Sequence, residues 1–213
     1  MIKVDDCKFL EKTGLDLGAA STKIISTDQI VVEDRVRLKC MVCPFYGKNL
    51  KCPPYTPSIA EFRNILNDYS TAMVVKFKTP EISEETSKET SKYLLKKKNK
   101  VIIENQDIYN TLSSVWPDIS ANYKKMLNLL LELEKTAFNK GYTFSMAFFA
   151  GRCLLCENCN IDNGCQNSLV ARFSAEAMGI NLLKTAENAG IELKFHSSDN
   201  PSPITPMAIL LID

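Results

Sequence analysis

The spacing of apolar residues along the chain predicts short helices and strands in alternation. Apolar positions recur three and four residues apart in the predicted helices and at every second residue in half-buried strands. Helices are predicted at 5–18, from the capping box Ser58-Ile-Ala-Glu61 onward, and at 120–139, 167–178 and 182–189. Strands are predicted at 23–26, 72–77, 143–148, 191–195 and 207–212. This order predicts one α/β or α+β domain, with a small mixed sheet flanked by helices and cysteine-rich metal-binding loops.

Residues 80–115 depart from this pattern. The stretch EISEETSKETSKYLLKKKNK is highly charged and has few apolar side chains, which indicates an exposed helix or an inserted segment. Its lysines form either a solvated helix face or a docking patch for an acidic partner. These lysines are Lys96, Lys97, Lys98 and Lys100. The sequence contains no repeat or linker, so we expect residues 1–213 to form a single domain that carries this charged insertion.

Composition and charge exclude several classes of protein. The chain has 26 basic and 25 acidic side chains, and its net charge of +1 indicates neither nucleic acid nor an anionic membrane as a partner. No apolar run approaches the ~20 residues of a membrane span. The N-terminus carries Asp5 and Asp6 where a signal peptide needs an apolar stretch, so we expect a cytoplasmic protein.

Eight cysteines are unusual in a protein without an export signal, because a reducing compartment keeps thiols free. Seven of them fall into two groups, each within a stretch of thirteen residues, and only Cys7 stands apart. The first group is Cys40, Cys43 and Cys52, and the second group is Cys153, Cys156, Cys159 and Cys165. His196 is the single histidine, so a metal site in this chain has to be built from sulfur.

The second cysteine group has the sharper signature. Cys153, Cys156 and Cys159 are spaced C-x2-C-x2-C, and Cys165 follows after a gap of five residues. Three thiolates at this spacing on a tight loop can converge on one face of a cubane cluster, as in bacterial ferredoxins. The ferredoxin pattern has a shorter last gap and ends in proline, whereas Gln166 follows here. Cys165 can therefore complete the same cluster or reach a different one.

The first cysteine group has only three local ligands. Cys40 and Cys43 form a C-x2-C pair, and Cys52 follows after eight residues in a loop rich in proline. The fourth ligand is left open between Cys7, Cys165, a group other than cysteine, and an open position for a substrate. An open position would favour catalysis, because catalytic metal sites keep one and structural sites close all four.

Charged residues near the two groups differ in sign. The basic residues around the first group are Arg35, Arg37, Lys39, Lys48 and Lys51. We expect this setting to lower the pKa values of the thiols and to stabilise a negatively charged cluster. Near the second group the sequence has Glu157 and Asp162, with Arg152 as the single basic neighbour. If both groups hold clusters, the first is expected to have the higher reduction potential.

Other interpretations of these residues remain open. Structural zinc holding irregular loops is the alternative to iron–sulfur, since thiolate sets accept either metal. Cys7 is predicted to be a buried packing residue rather than a ligand, and His196 to lie away from any metal. Tyr46 and Tyr55 lie next to cysteines of the first group. They are either acid–base or stacking groups, or side chains that simply pack over a loop. The sequence has no dinucleotide-binding, P-loop, hydrolase-elbow or zinc-protease motif.

Three stretches around the cysteines carry a specific pattern. They are DRVRLKCMVCPFYGKNLKCPPYTPS, then ELEKTAF with GYTFSMAFFAGRCLLCENC, and finally ARFSAEAMGINLLKTAENAG. These stretches resemble a family of predicted metal-binding proteins of unknown function from anaerobic bacteria and methanogenic archaea. The resemblance spans nearly the whole chain apart from the charged insertion. It implies that all seven cysteines of the two groups bind metal, and it implies no particular reaction.

The chain departs from the family pattern around the second group. Arg152 stands where the family usually has a proline before Cys153. Gln166-Asn167-Ser168 follows Cys165 where the family usually has Arg-His-Pro, and Phe173 stands in place of another usual proline. The loop after Cys165 has therefore lost a histidine and two prolines, while the cysteines themselves are intact.

Three functions are consistent with these residues. The first is an iron–sulfur protein with one or two [4Fe-4S] clusters, acting with a redox partner protein in electron transfer or redox chemistry of anaerobic metabolism. The second is an iron–sulfur enzyme with an open iron site at Cys40, Cys43 and Cys52. The third is a non-enzymatic zinc-binding module. The sequence does not decide whether the two groups meet in space, and it indicates neither a substrate nor an oligomeric state.

Overall fold

The computed structural model describes residues 4–79, 83, 110, 113–193 and 205–213. The helices bounded within these residues are α1 (Lys8–Asp16), α2 (Asp34–Met41), α3 (Ile59–Leu66), α4 (Trp116–Phe138) and α5 (Leu182–Asn188). The strands are β1 (Ser21–Ser26), β2 (Thr71–Lys76), β3 (Met146–Phe149), β4 (Phe173–Ser174) and β5 (Met207–Leu211). Short 3-10 segments cover Val4–Cys7, Thr27–Gln29 and Glu176–Met178.

The five strands form one mixed sheet in the order β1-β2-β5-β3-β4. The first three pairings are antiparallel, and only β3 and β4 run parallel. The register places Ile209 of β5 between Val74 of β2 and Phe148 of β3. This architecture confirms the predicted fold class of a small mixed sheet flanked by helices.

Helices cover both faces of the sheet because β2 is apolar on both sides. Met73 and Val75 point into a core shared with α1 and α4, while Ala72 and Val74 point into a core shared with α3 and α5. A strand that is buried on both faces has a continuous run of apolar residues in its sequence, and β2 and β5 both have such a run. The loop that follows β3 packs against the α1–α4 core through Cys153, Leu154 and Leu155.

Helix α1 lies unusually close to the neighbouring strand β1. A Cβ atom at Gly14 would come within 2.6 Å of Thr22 Cγ2, so glycine in the helix allows this approach. The Glu11 carboxylate accepts a hydrogen bond of 2.6 Å from Ile24 N, and Thr22 Oγ1 donates to Glu11 O at 2.8 Å. These contacts fix the edge of the sheet against the helix.

Most predicted elements are confirmed, with shifted ends. The capping box at the start of α3 is present, since Ser58 Oγ accepts from Glu61 N at 3.2 Å and Ser58 N donates to Glu61 Oε2 at 2.7 Å. Helix α4 begins at Trp116, four residues before the predicted helix, with Pro117 in its first turn. The predicted strand 143–148 is β3, which begins three residues later.

Three predictions about local structure are wrong in whole or in part. The helix predicted at 167–178 is instead a turn, the short strand β4 and a 3-10 segment, because Phe173 pairs with Phe148 and Ser174 N donates to Lys51 O at 3.1 Å. Tertiary partners thus override an apolar spacing that resembles a helix. The first cysteine group is not all loop, since Cys40 lies within α2. Residues 191–193 are not in a strand.

Several predictions concern residues outside the described ranges. They are the four lysines of the insertion, most of the insertion itself, His196 and the end of the strand predicted at 191–195. Among the helices in the described part of the chain, none combines the length and apolarity needed to cross a membrane.

Candidate metal centre

The first cysteine group lies at the C-terminal end of α2 and in the turns that follow it. Cys40 is in the last turn of the helix, and Cys43 N donates to Cys40 O at 3.1 Å. A second turn brings Cys52 back, where Cys52 N donates to Asn49 O at 3.0 Å. All three thiols are partly buried, and none forms a disulfide.

Helix α2 is held in place by Arg37 rather than by apolar packing. None of the helix residues is buried. The Arg37 guanidinium donates to Pro57 O at 3.1 Å and to Ala177 O at 2.7 Å. Because these acceptors lie in two different segments, Arg37 links the loop after Cys52 to the 3-10 segment at Glu176–Met178.

The second cysteine group begins directly after β3. Gly151 has a φ of +75°, a conformation that glycine adopts without strain, and this turn directs the chain out of the sheet. Gly151 N donates to Glu176 Oε2 at 2.9 Å, and Ser174 Oγ donates to the same oxygen at 2.9 Å. The start of the cysteine loop is therefore fixed by a carboxylate from a distant segment.

The four cysteines of the second group line a single cavity. The other residues that line it are Asn49, Lys51, Leu155, Asn160, Gln166 and Asn167. Asn167 Nδ2 donates to Cys156 Sγ at 3.1 Å, which is an N–H···S hydrogen bond. Cys165 therefore lies with the other cysteines of its own group, which is one of the two placements that the sequence left open.

The two cysteine groups are adjacent in space, a point that the sequence left undecided. Asn49 lies between Cys43 and Cys52 and is only 3% exposed. Its Nδ2 donates to Cys153 O at 3.0 Å, and its Oδ1 accepts from Lys51 N at 3.0 Å. Asn49 and Lys51 also line the cavity of the second group. One buried side chain thus connects the two cysteine loops.

Arg152 lies at the junction of the two groups. Its guanidinium carbon is 4.1 Å from the centroid of the Phe45 ring and 5.5 Å from that of the Trp116 ring. Burial lowers the pKa of Arg152, and cysteines from both groups oppose that effect. These cysteines are Cys52, Cys153, Cys43 and Cys159. No carboxylate of the described residues forms an ion pair with this half-buried cation.

Tyr123 contributes a second unsatisfied group to the same region. The side chain is 1% exposed, and its Oη atom has no hydrogen-bond partner of normal geometry among the described residues. Burial raises the pKa of Tyr123, and the neighbouring Cys153 and Cys52 raise it further. A buried hydroxyl without an acceptor costs about 1–3 kcal/mol, so an anionic sulfur at Cys153 is the acceptor that this site provides.

Cys40 and Cys52 of the first group do not have the lowered pKa values that the basic surroundings predicted. Burial raises the pKa of Cys52 to about 12, with further contributions from Cys40, Cys43 and Glu176. Burial and Glu176 also raise the pKa of Cys40, although Arg37 opposes them. The expectation was wrong because desolvation outweighs the nearby cations and because the fold brings in a carboxylate from far along the chain.

Of the remaining sequence candidates, Cys7 lies apart from the two groups, whereas Tyr46 and Tyr55 lie at the first group. Cys7 is completely buried in the α1–α4 core, where its thiol interacts with Tyr142, as expected of a packing residue. Tyr46 and Tyr55 are both 43% exposed. Tyr55 Oη donates to Gly47 O at 3.3 Å, so this side chain covers the loop of the first group.

Sequence patterns did not identify four residues of the site: Asn49, Trp116, Tyr123 and Glu176. Asn49, Trp116 and Glu176 contact the loop of the second group at separations of 25 to 104 positions along the chain. Tyr123 lies beside Cys153 from within α4. In the sequence, the position of Asn49 between Cys43 and Cys52 was the one local signal that pointed to any of these four residues.

The donor set fits a thiolate-bound metal centre. In the described part of the chain, no three His, Cys, Asp or Glu side chains are arranged to hold a single metal ion. The four cysteines of the second group instead line one cavity, where Asn167 Nδ2 donates to Cys156 Sγ. The Tyr123 hydroxyl has no hydrogen-bond partner and the Arg152 guanidinium no ion-pair partner among the described residues, and both lie beside cysteines of the two groups. All three are groups that anionic sulfur satisfies.

Residues 23–212 match the sequence model of a family described as "Predicted metal-binding protein (DUF2284)". The chain belongs to this family. The match includes both cysteine groups and all five strands apart from the first two residues of β1. Comparison with curated proteins and with solved structures finds no significant match. The family description supports metal binding and names neither the metal nor a reaction.

Proposed function

We propose that the chain is an iron–sulfur protein, in which the seven grouped cysteines hold one or two [4Fe-4S] clusters for electron transfer or redox chemistry. The observation that carries this proposal is Arg152, half-buried between the two groups and without a carboxylate partner among the described residues. An unpaired buried charge is costly, so the fold requires negative charge beside it. Thiolate ligands of a metal centre supply that charge, whereas protonated thiols do not.

The second cysteine group favours a cluster over a single zinc ion. Cys153, Cys156 and Cys159 are linked on one loop, whereas zinc sites normally use one C-x2-C pair per knuckle. The four thiols of the group surround one cavity together with Asn167. The hydrogen bond from Asn167 to Cys156 Sγ is of the kind by which proteins set cluster potentials.

A bound [4Fe-4S] cluster would supply one-electron redox chemistry. The residues of this chain would hold it and adjust its environment. The rings of Phe45 and Trp116 lie against the Arg152 guanidinium and would position it beside the cluster. The Tyr123 hydroxyl would donate a hydrogen bond to Cys153 Sγ. Asn49 fixes the separation of the two loops.

An iron–sulfur enzyme is the second candidate function. Cys165 lies with the second group and Cys7 in the core, so the first group has three cysteines and no fourth one beside it. A three-cysteine site leaves one metal position for a substrate. Glu176 is the acid–base candidate there, because its carboxylate lies close enough to Cys40 and Cys52 to contribute to the raised pKa of both thiols.

Anaerobic purification tests the proposal. We expect a brown protein with broad absorbance near roughly 400 nm, and with iron and acid-labile sulfide. Cys156→Ser and Cys43→Ser should each lower the absorbance and the iron content, while the matched control Cys7→Ala should keep both. A colourless protein with stoichiometric zinc would contradict both candidates. Site-differentiated iron that responds to added cyanide, and that Cys52→Ser alters, would favour the enzyme.

A further inference from the structure

Three exposed apolar side chains lie together at the end of α2. Leu38 is 62% exposed, Met41 is 63% exposed and Val42 is 84% exposed. Their spacing of three and four residues places them on one side of the helix. We call these three residues the α2 patch. Apolar side chains that are exposed next to one another mark interaction sites, whereas isolated ones need no explanation.

The α2 patch lies directly beside the first cysteine group. Met41 and Val42 are the two residues between Cys40 and Cys43. A molecule that contacts these side chains is therefore within a few covalent bonds of two proposed ligands.

The rim of the patch is basic. Residues 33–52 contain five basic and two acidic side chains, in a chain whose net charge is only +1. Both acidic residues are engaged, since Glu33 pairs with Arg35 at 2.8 Å and Asp34 pairs with Arg63 at 3.1 Å. Lys39 is exposed next to the patch. The positive charge of this region is thus a local excess.

We infer that the α2 patch is the docking surface for a small acidic electron-transfer protein, an inference that rests on the proposed redox function. An apolar centre with a charged rim is the usual anatomy of an interface, and opposite charges steer the encounter. Redox encounters bury little area, so three side chains with their rim are sufficient. A second copy of the chain would bring two basic rims together, which disfavours self-association.

Binding to an acidic bacterial ferredoxin tests this surface. The affinity is measured at low and high salt for the anaerobically prepared chain and for two variants. One variant is Leu38→Ser/Met41→Ser/Val42→Ser, and the other is Lys39→Glu. The matched control is Phe138→Ser/Lys140→Glu, which removes an exposed apolar and a basic side chain at the far end of α4, about 33 Å along the helix from Trp116.

We expect both patch variants to bind the ferredoxin at least tenfold more weakly, and the control to bind like the wild type. High salt should weaken wild-type binding, and a basic cytochrome should not bind. Patch variants within twofold of the wild type would overturn the inference, and so would a wild-type dimer that the patch substitutions dissociate. Iron is measured in every sample, so that a chain without iron refutes the redox function while the binding comparison still tests the surface.

Discussion

Glu134 offers a sharp test of how the scaffold holds the second cysteine group. Its carboxylate is 9% exposed and accepts hydrogen bonds from Ala147 N at 2.7 Å and from Arg172 Nε at 2.7 Å. Arg172 Nη2 also contacts the other carboxylate oxygen. Ala147 precedes the cysteine loop and Arg172 follows it. One side chain of α4 therefore fixes both ends of the loop that carries Cys153 and Cys165.

Glu134→Ala is the informative perturbation. It leaves the Arg172 side chain, which is 11% exposed, without its counter-ion. Breaking a buried pair in this way costs about 3–5 kcal/mol, because the remaining charge stays desolvated. For a chain of this length, that loss corresponds to a fall in melting temperature of about 6–20 °C. Replacing both partners by Glu134→Leu/Arg172→Met should recover most of the stability, since no charge is then left unpaired.

Urea denaturation of the metal-free, reduced protein measures this free energy of unfolding. The control is Glu132→Ala on the same helix, which breaks the exposed pair with Lys135 at 3.2 Å. Exposed pairs contribute about 0–1 kcal/mol, so the control should lose little. If Glu134→Ala costs no more than Glu132→Ala, the carboxylate does not anchor the loop. A double variant as unstable as Glu134→Ala would likewise refute the reasoning.

Three further predictions concern the centre and its surroundings. Arg152→Gln removes the cation between the two groups, so it should lower the reduction potential of the cluster. A redox titration should show a fall of about 59 mV or more, which is a tenfold change in the equilibrium constant for one electron. Tyr123→Phe should lower that potential by less and should not destabilise the metal-free protein, because it removes an unpartnered hydroxyl; a loss above about 1 kcal/mol would contradict this. Cys7→Ala should cost about 1 kcal/mol of stability through lost packing, with iron content unchanged by metal analysis.

Local patterns predicted the parts of the fold that depend on near neighbours. The capping box at Ser58 and Glu61 is formed by residues three positions apart, and its prediction is confirmed. The apolar runs at 72–77 and 207–212 were predicted to be strands, and β2 and β5 confirm this, whereas their burial on both faces was not predicted. The pattern C-x2-C-x2-C predicted a common location for Cys153, Cys156 and Cys159, and these three thiols line one cavity.

Long-range contacts decided what the sequence could not predict. The contact of Asn49 with Cys153 O spans 104 positions, and no spacing rule brings such residues together. Burial raises the pKa of Cys40 and of Cys52, and Glu176 from another segment raises both further, which is opposite to the direction expected from the nearby cations. The helix predicted at 167–178 failed for the same reason, because Arg172 and Ser174 find partners across the fold.

Metal and sulfide analysis of the anaerobically prepared chain tests the central claim most directly. Iron, acid-labile sulfide and zinc are measured per chain in the wild type and in Cys156→Ser. A [4Fe-4S] centre predicts iron and sulfide in equal amounts, at about four of each per cluster, with a clear loss in the variant. Zinc without sulfide, unchanged by Cys156→Ser, would contradict the assignment of an iron–sulfur centre to these cysteines.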